Sequence, residues 1–240
     1  LQMGELTRDG MRLRWWRDQA LGLKGCGGIL LCIQQLAACS ENDLRQSLQE
    51  LESSLISALL PDHIRADLAL DVIGGVAGLI GPLLQNGSER ALDCAVLCGD
   101  QLLQHQTEEG GWSTGEVVRH PLLGFSHGTA GFAAALVKLG QCVGEARFID
   151  AASRALAYER VRFDAEHGNW PDYRDYKSDQ PSQFMTSWCH GAPGIALGRA
   201  CLFGTPLWDA FCLEEITTAL QTLIALPLPT TDHICCGAMG

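Results

Sequence analysis

The sequence has no apolar run long enough to cross a bilayer, which takes roughly 20 consecutive apolar residues. Its longest such run, residues 72–84, is too short, rich in glycine and interrupted by Pro82. It has no secretory-type start either, because residues 1–16 are polar and charged. Basic residues are scarce: 17 Lys and Arg stand against 28 Asp and Glu, a net charge of −11 with no basic cluster. That excludes a phosphate-binding nucleic-acid surface. No segment alternates apolar and polar residues as a half-buried strand does, which argues against a sheet-based fold. Charged residues make up only 19% and hydrophobic ones 47%, so the chain is globular and not disordered.

Glycine and cysteine are plentiful, at 27 and 11 residues. The cysteines are odd in number and scattered. Cys32, Cys94, Cys98, Cys201 and Cys212 fall in helix-like apolar stretches. They read as reduced, buried thiols of a cytoplasmic protein, not as a disulfide framework. Many of the glycines fall into five Gly-x-x-Gly signatures, beginning at Gly25, Gly75, Gly128, Gly191 and Gly237. Their starts are 50, 53, 63 and 46 residues apart, a period that suits a repeat of two helices plus loops.

The first four signatures are each followed by an apolar segment, at residues 29–36, 79–84, 132–139 and 195–202. These have almost no polar face and are expected as buried inner helices. Amphipathic stretches at 43–60, 88–105, 145–161 and 208–226 follow as outer helices. In the first of these, Leu44, Leu48, Leu51, Leu55 and Leu59 form one stripe, with Arg45, Gln49, Glu52 and Ser53 away from it. The expected fold is all-α, an array of hairpins closing toward a barrel. Such a barrel usually needs six or seven hairpins. The chain starts on Leu1 and stops on Gly240, the last residue of a signature, so it is expected to be part of a longer protein.

Aligning the signatures on their first glycine brings chemistry-bearing residues into register. Lys24, Gly74, His127, His190 and Cys236 occupy the preceding position, and Cys189 and Cys235 stand one place earlier in the last two repeats. Cys189, Cys235 and Cys236 thus fall at the mouths of two neighbouring inner helices. Three thiolates there would make a soft site with a preference for zinc and an open fourth position. The alternative is that adjacent cysteines simply serve as small buried residues. His127 is either an acid–base group beside such a site, a ligand or a structural residue. His190 directly follows a proposed ligand and could orient or shield it. Asp71, four residues before Gly75, is either a helix cap or part of the site. In the irregular segment 169–174, Trp170 and Arg174 could form a peptide-contacting rim, or Asp172 and Arg174 could hold the loop in a turn.

Gly-Phe-Ser-His-Gly-Thr-Ala-Gly (124–131), Ser-Trp-Cys-His-Gly-Ala-Pro-Gly (187–194) and Cys-Cys-Gly (235–237) resemble the lanthionine synthetase C-like cyclases. The segment Asp-Val-Ile-Gly-Gly-Val-Ala-Gly (71–78) and Asn-Trp-Pro-Asp-Tyr-Arg (169–174) are most similar to the cyclase half of class II lanthipeptide synthetases. The resemblance runs from about Gly22 to Gly240. It implies an α/α toroid of seven hairpins, of which this chain would hold about five as a partial cyclase domain. It further implies a zinc ion held by Cys189, Cys235 and Cys236, the three-cysteine variant of a site that carries a histidine in many relatives. By the same resemblance His127 is the catalytic histidine and Asp71 the catalytic aspartate. The implied substrate is a precursor peptide with dehydrated Ser or Thr and free Cys, and a dehydratase region would precede Leu1. A non-catalytic module that binds a peptide or thiol is the alternative. A glycosidase would need a facing carboxylate pair that the sequence lacks. A zinc prenyltransferase would be expected to include an aspartate among its ligands.

Overall fold

The computed structural model describes residues 15–113, 120–174 and 183–225. It divides into two compact units, Leu1–Gln101 and Leu102–Gly240. Among the described residues the regular structure is helical apart from one two-residue ladder. No helix there is long and apolar enough to cross a membrane.

The first unit contains α1 (Cys26–Cys39), α2 (Asn42–Ser57), the short α3 (Pro61–Arg65) and α4 (Ala77–Asn86), and most of α5 (Glu89–His105). α1 packs against both α2 and α4. The starts of α1 and α4 lack side-chain caps. Instead the preceding loop folds back, and its carbonyls accept the first helical N–H groups. Cys26 N donates to Ala20 O at 2.7 Å, Gly27 N to Leu21 O at 2.9 Å and Ala77 N to Leu70 O at 3.0 Å. This close return explains the glycine signature, since a Cβ on Gly28 or Gly78 would overlap the carbonyl oxygen of Leu23 or Val72. The two loops also pair with each other. Leu23 N donates to Val72 O and Lys24 N to Ile73 O, both at 2.9 Å.

The outer helix α2 corrects part of the expected leucine stripe: Leu59 is buried and Leu48 and Leu55 are half-buried as expected, but the rest differs. Leu44 and Leu51 are exposed, at 59% and 45%, whereas Glu52 and Ile56 are buried. The helix is rotated so that Glu52 accepts the Gln34 Nε2–H at 2.7 Å. Gln34 also donates to Pro82 O at 2.8 Å, so one amide links α1 to both α2 and α4. A buried polar group needs such partners, and that requirement overrides the leucine pattern. Burial of the inner segments is one-sided at α1, where Leu36 is exposed. Cys94, Cys98 and Cys212 are buried as expected; Cys32 is exposed and Cys201 is half-buried.

The second unit contains α6 (Thr129–Val143) and α7 (Ala146–Arg160), β1 (Pro171–Asp172) and β2 (Gln183–Phe184), then α8 (Ala192–Ala200) and α9 (Ala210–Ala225). The pairs α6–α7 and α8–α9 are antiparallel hairpins, and the inner helices α6 and α8 pack side by side. Gly144 turns the first hairpin with φ of 73°. The strands pair antiparallel, Pro171 with Phe184 and Asp172 with Gln183. Nothing in the sequence reading anticipated this ladder. The core includes Leu123, Ala130, Tyr158, Trp170, Ala192, Ile195 and Ala219. A helix of nearly all-apolar residues is buried almost throughout, as α6 shows from Thr129 to Gly140.

Candidate active site

The residues with site chemistry in the second unit sit on two loops, 121–128 before α6 and 185–191 before α8. Backbone and side-chain bonds hold the first loop almost residue by residue. Pro121 O accepts the Tyr158 hydroxyl at 2.8 Å. Leu122 O accepts Thr129 N at 3.0 Å and Gly124 O accepts Ala130 N at 3.1 Å. Phe125 N donates to Trp188 O at 3.1 Å, which joins the two loops. Gly124 has φ of 103°, and a Cβ there would run into the carbonyl of Cys189. The loop before α8 closes on itself, with Ser187 N donating to His190 O at 3.1 Å.

This pairing stacks His127 against His190, the residue that follows Cys189 on the second loop. The imidazole rings of His127 and His190 stack at 5.8 Å between centroids, 19° from parallel. His190 is 1% exposed, and its Nδ1 lies 3.3 Å from Leu123 O. Desolvation pulls its pKa down to about 4, helped by the nearby Arg174 and His127 and opposed by Asp172. The ring is therefore neutral at pH 7, with the Nδ1 proton donated to Leu123. Its Nε2 is buried and finds no hydrogen-bond partner among the described residues. Cys189 is buried with Sγ 2.9 Å from Ser187 Oγ. Ser126 Oγ is a second buried polar atom without a partner among the described residues.

The segment 169–174 has two roles. Asn169 Oδ1 accepts Ala192 N at 2.7 Å and Trp170 N at 2.8 Å, and its Nδ2 donates to Met185 O at 3.2 Å. It thus caps α8 from 23 residues away. Trp170 is buried at 1% and donates its indole N–H to Glu159 O at 3.1 Å. Arg174 bonds Asp172 through Nε and Nη2, the latter at 2.6 Å, and Nη2 lies 3.0 Å from Met185 Sδ. Burial opposes the Asp172 charge, but the Arg174 bonds outweigh it and hold the carboxyl below its usual range. This is the turn arrangement that the sequence allowed beside a peptide-contacting rim.

Asp71 lies in the first unit, buried at 7%, and its Oδ1 accepts Gly74 N at 2.5 Å. The loop that carries it is organised by Asp67, whose Oδ2 accepts both Leu70 N and Val76 N at 2.9 Å. Burial pushes the Asp67 carboxyl up, the backbone N–H groups pull it back, and Asp71 adds to the rise. Leu70 takes φ of 59° between these two acids. Sequence reading missed Asp67 and Asn169. No local pattern marked them, because the backbone N–H groups they bond lie as far as nine and 23 residues away. Cys235 and Cys236 lie outside the described residues. Among the described residues no three His, Cys, Asp or Glu side chains cluster as a metal site would require.

The profile of the family described as Lanthionine synthetase C-like protein matches residues 17–240. The chain therefore belongs to the lanthionine synthetase C-like family. The solved structure of a nisin cyclase aligns with it at a TM-score of 0.61 and 20% identity, covering 95% of this chain and 65% of that one. This chain thus spans less than two thirds of that cyclase. The likeness bears out the expected fold class, the all-α toroid of this family. A UGL variant described with dGlcA-Glc-Rha-Glc aligns at a TM-score of only 0.43 and 15% identity, covering 80% of this chain and 60% of that one. No curated protein matches the chain.

Proposed function

We propose that the chain is the cyclase part of a lanthipeptide synthetase of class II, adding peptide cysteine thiols to dehydroalanine or dehydrobutyrine. The observation that carries this reading is the stacking of His127 on His190 across two hydrogen-bonded loops, the second of which also carries Cys189. Family membership supports the reaction class.

The reaction forms one C–S bond at the β-carbon of the dehydro residue and one C–H bond at its α-carbon. The thiol proton must leave and a proton must arrive at the α-carbon. His127, half-buried beside His190, is the acid that delivers it. His190 is neutral, so it adds no like charge next to a protonated His127. Its stacked ring and its bond to Leu123 hold the face against which His127 turns. The family resemblance would make Asp71 the base for the thiol or the orienting partner of an acid–base group; within its own unit its Oδ1 accepts Gly74 N. Arg174, exposed in part, is the candidate contact for the peptide from its loop.

The donor set fits zinc in its chemistry, because Cys189, Cys235 and Cys236 would offer three thiolates and leave one position open. Cys189 is buried beside the Ser187 hydroxyl, which suits a thiolate that needs a hydrogen-bond donor. Bound there, zinc would supply Lewis acidity toward a substrate thiol that is mostly protonated near neutrality at a free pKa of about 8.5. All nine cysteines among the described residues are free thiols, in keeping with a cytoplasmic setting. A dehydratase region upstream in the parent chain would prepare the substrate.

The test is to incubate the full-length protein with a dehydrated, Cys-containing precursor peptide and to count alkylatable thiols over time. Thiol loss that needs zinc and is abolished in Cys236→Ala supports the reading. A zinc-free protein, with Cys236→Ala as active as the unaltered chain, sinks it.

A further inference from the structure

Two consecutive residues of α7 grip the two ends of the loop that carries His127. The Tyr158 hydroxyl donates to Pro121 O at 2.8 Å, ahead of the loop. Glu159 Oε1 accepts the Thr129 hydroxyl at 2.5 Å, behind it. Thr129 is the first residue of α6 and stands two places after His127. Tyr158 and Glu159 are 2% and 0% exposed. Neither takes part in the chemistry proposed above.

The Glu159 carboxylate is itself fixed from behind. Its Oε2 accepts Arg199 Nη1 at 2.6 Å, with both side chains fully buried. Arg199 then donates to Glu215 through Nε at 2.9 Å and Nη2 at 3.1 Å. The chain of bonds runs from the first turn of α6 through α7 and α8 to α9. Burying such a pair is costly, and apolar replacements of similar volume are often equally stable or more so. Stability is therefore a weak reason for it, whereas geometry is a strong one. A carboxylate accepts along defined directions, and a leucine in its place could fill the volume without fixing where Thr129 sits.

We propose that Glu159 is a positioning residue, which with Tyr158 clamps the 121–129 loop at both ends and so sets the place of the His127 imidazole. This rests on the reading of His127 as the proton donor. Proton delivery to a carbon tolerates little displacement, and an error of about 1 Å can cost around 100-fold in rate. The clamp predicts that loss of either bond lowers kcat while leaving peptide binding nearly intact.

The test uses the full-length, zinc-loaded protein in four altered forms: Thr129→Val, Thr129→Ser, Tyr158→Phe and the apolar double replacement Glu159→Leu with Arg199→Met. Two readouts are taken, the kcat and KM of cyclisation and the rate at which diethyl pyrocarbonate modifies His127, mapped by mass spectrometry with His63 as internal reference. Thr129→Val, Tyr158→Phe and the double replacement are expected to lower kcat by about 10- to 100-fold with KM changed less than about twofold. The His127 modification rate should shift several-fold in the same three forms. Thr129→Ser, which keeps the hydroxyl, should restore most of both. Folded Thr129→Val and double-replacement proteins with unaltered kcat and unaltered His127 reactivity would overturn the clamp. Should the double replacement fail to fold, the isosteric Thr129→Val and Tyr158→Phe decide alone. If the unaltered protein forms no thioether, the functional reading fails, and His127 reactivity still decides the clamp.

Discussion

At the level of single residues, His127 and Cys189 should fail in different ways. His127→Asn is expected to lower the cyclisation rate by about 100-fold or more, the usual contribution of a positioned acid, with zinc content unchanged. Cys189→Ala should lose both zinc and rate. Metal analysis beside a thiol-loss assay separates the two, and a zinc-free His127→Asn would contradict the assignment. These two residues were legible because the Gly-x-x-Gly register places them one and two positions before a glycine. Asp67 and Asn169 were not legible. Their partners are backbone N–H groups as far as nine and 23 residues away, and no local pattern marks a cap of that span. Trp170 was singled out as an aromatic in a loop, but its indole N–H finds a buried carbonyl, a contact invisible in sequence.

Single elements show the same division. Hairpins α1–α2, α6–α7 and α8–α9 were readable from apolar segments followed by amphipathic ones. The rotation of α2 was not, because the Gln34–Glu52 bond and not the leucine count sets its buried face. Leu51→Lys is therefore expected to change stability by less than about 0.5 kcal/mol. Ile56→Ala should cost about 2–4 kcal/mol. Urea unfolding of both variants checks the rotation, and equal costs would contradict it. Removal of the cap in Asn169→Ala should cost about 1–2 kcal/mol, seen as a lower thermal midpoint, because it frees the first N–H of α8.

The ends of α7 and α9 meet in a charge network whose acid sensitivity can be given a sign. Bonds from Arg160 hold the Asp209 pKa down to about 2, below the value of about 3.9 expected in an unfolded chain. Between those values the unfolded state binds more protons, so stability falls as pH drops through that window. Asp209 is 42% exposed, so screening keeps the effect below about 1 kcal/mol. Asp209→Asn should lower the urea midpoint slightly at pH 6, with a difference that shrinks as pH falls toward 2 and vanishes below it.

At the scale of the whole molecule, fold class and family follow from the repeat and from two of the three motif strings that the described residues include. The third string holds Cys235 and Cys236, on which the metal reading depends. The central claim is that these two cysteines act with Cys189 and His127 in one thioether-forming site. Adding a thiol across a double bond leaves the peptide mass unchanged, so the decisive measurement is the loss of alkylatable thiols. The full-length protein, with and without a zinc chelator, is incubated with a dehydrated Cys-containing peptide. The account predicts thiol loss at constant mass, stopped by chelation and restored by added zinc. Thiols that persist despite bound zinc and bound peptide would contradict it and leave a binding module in its place.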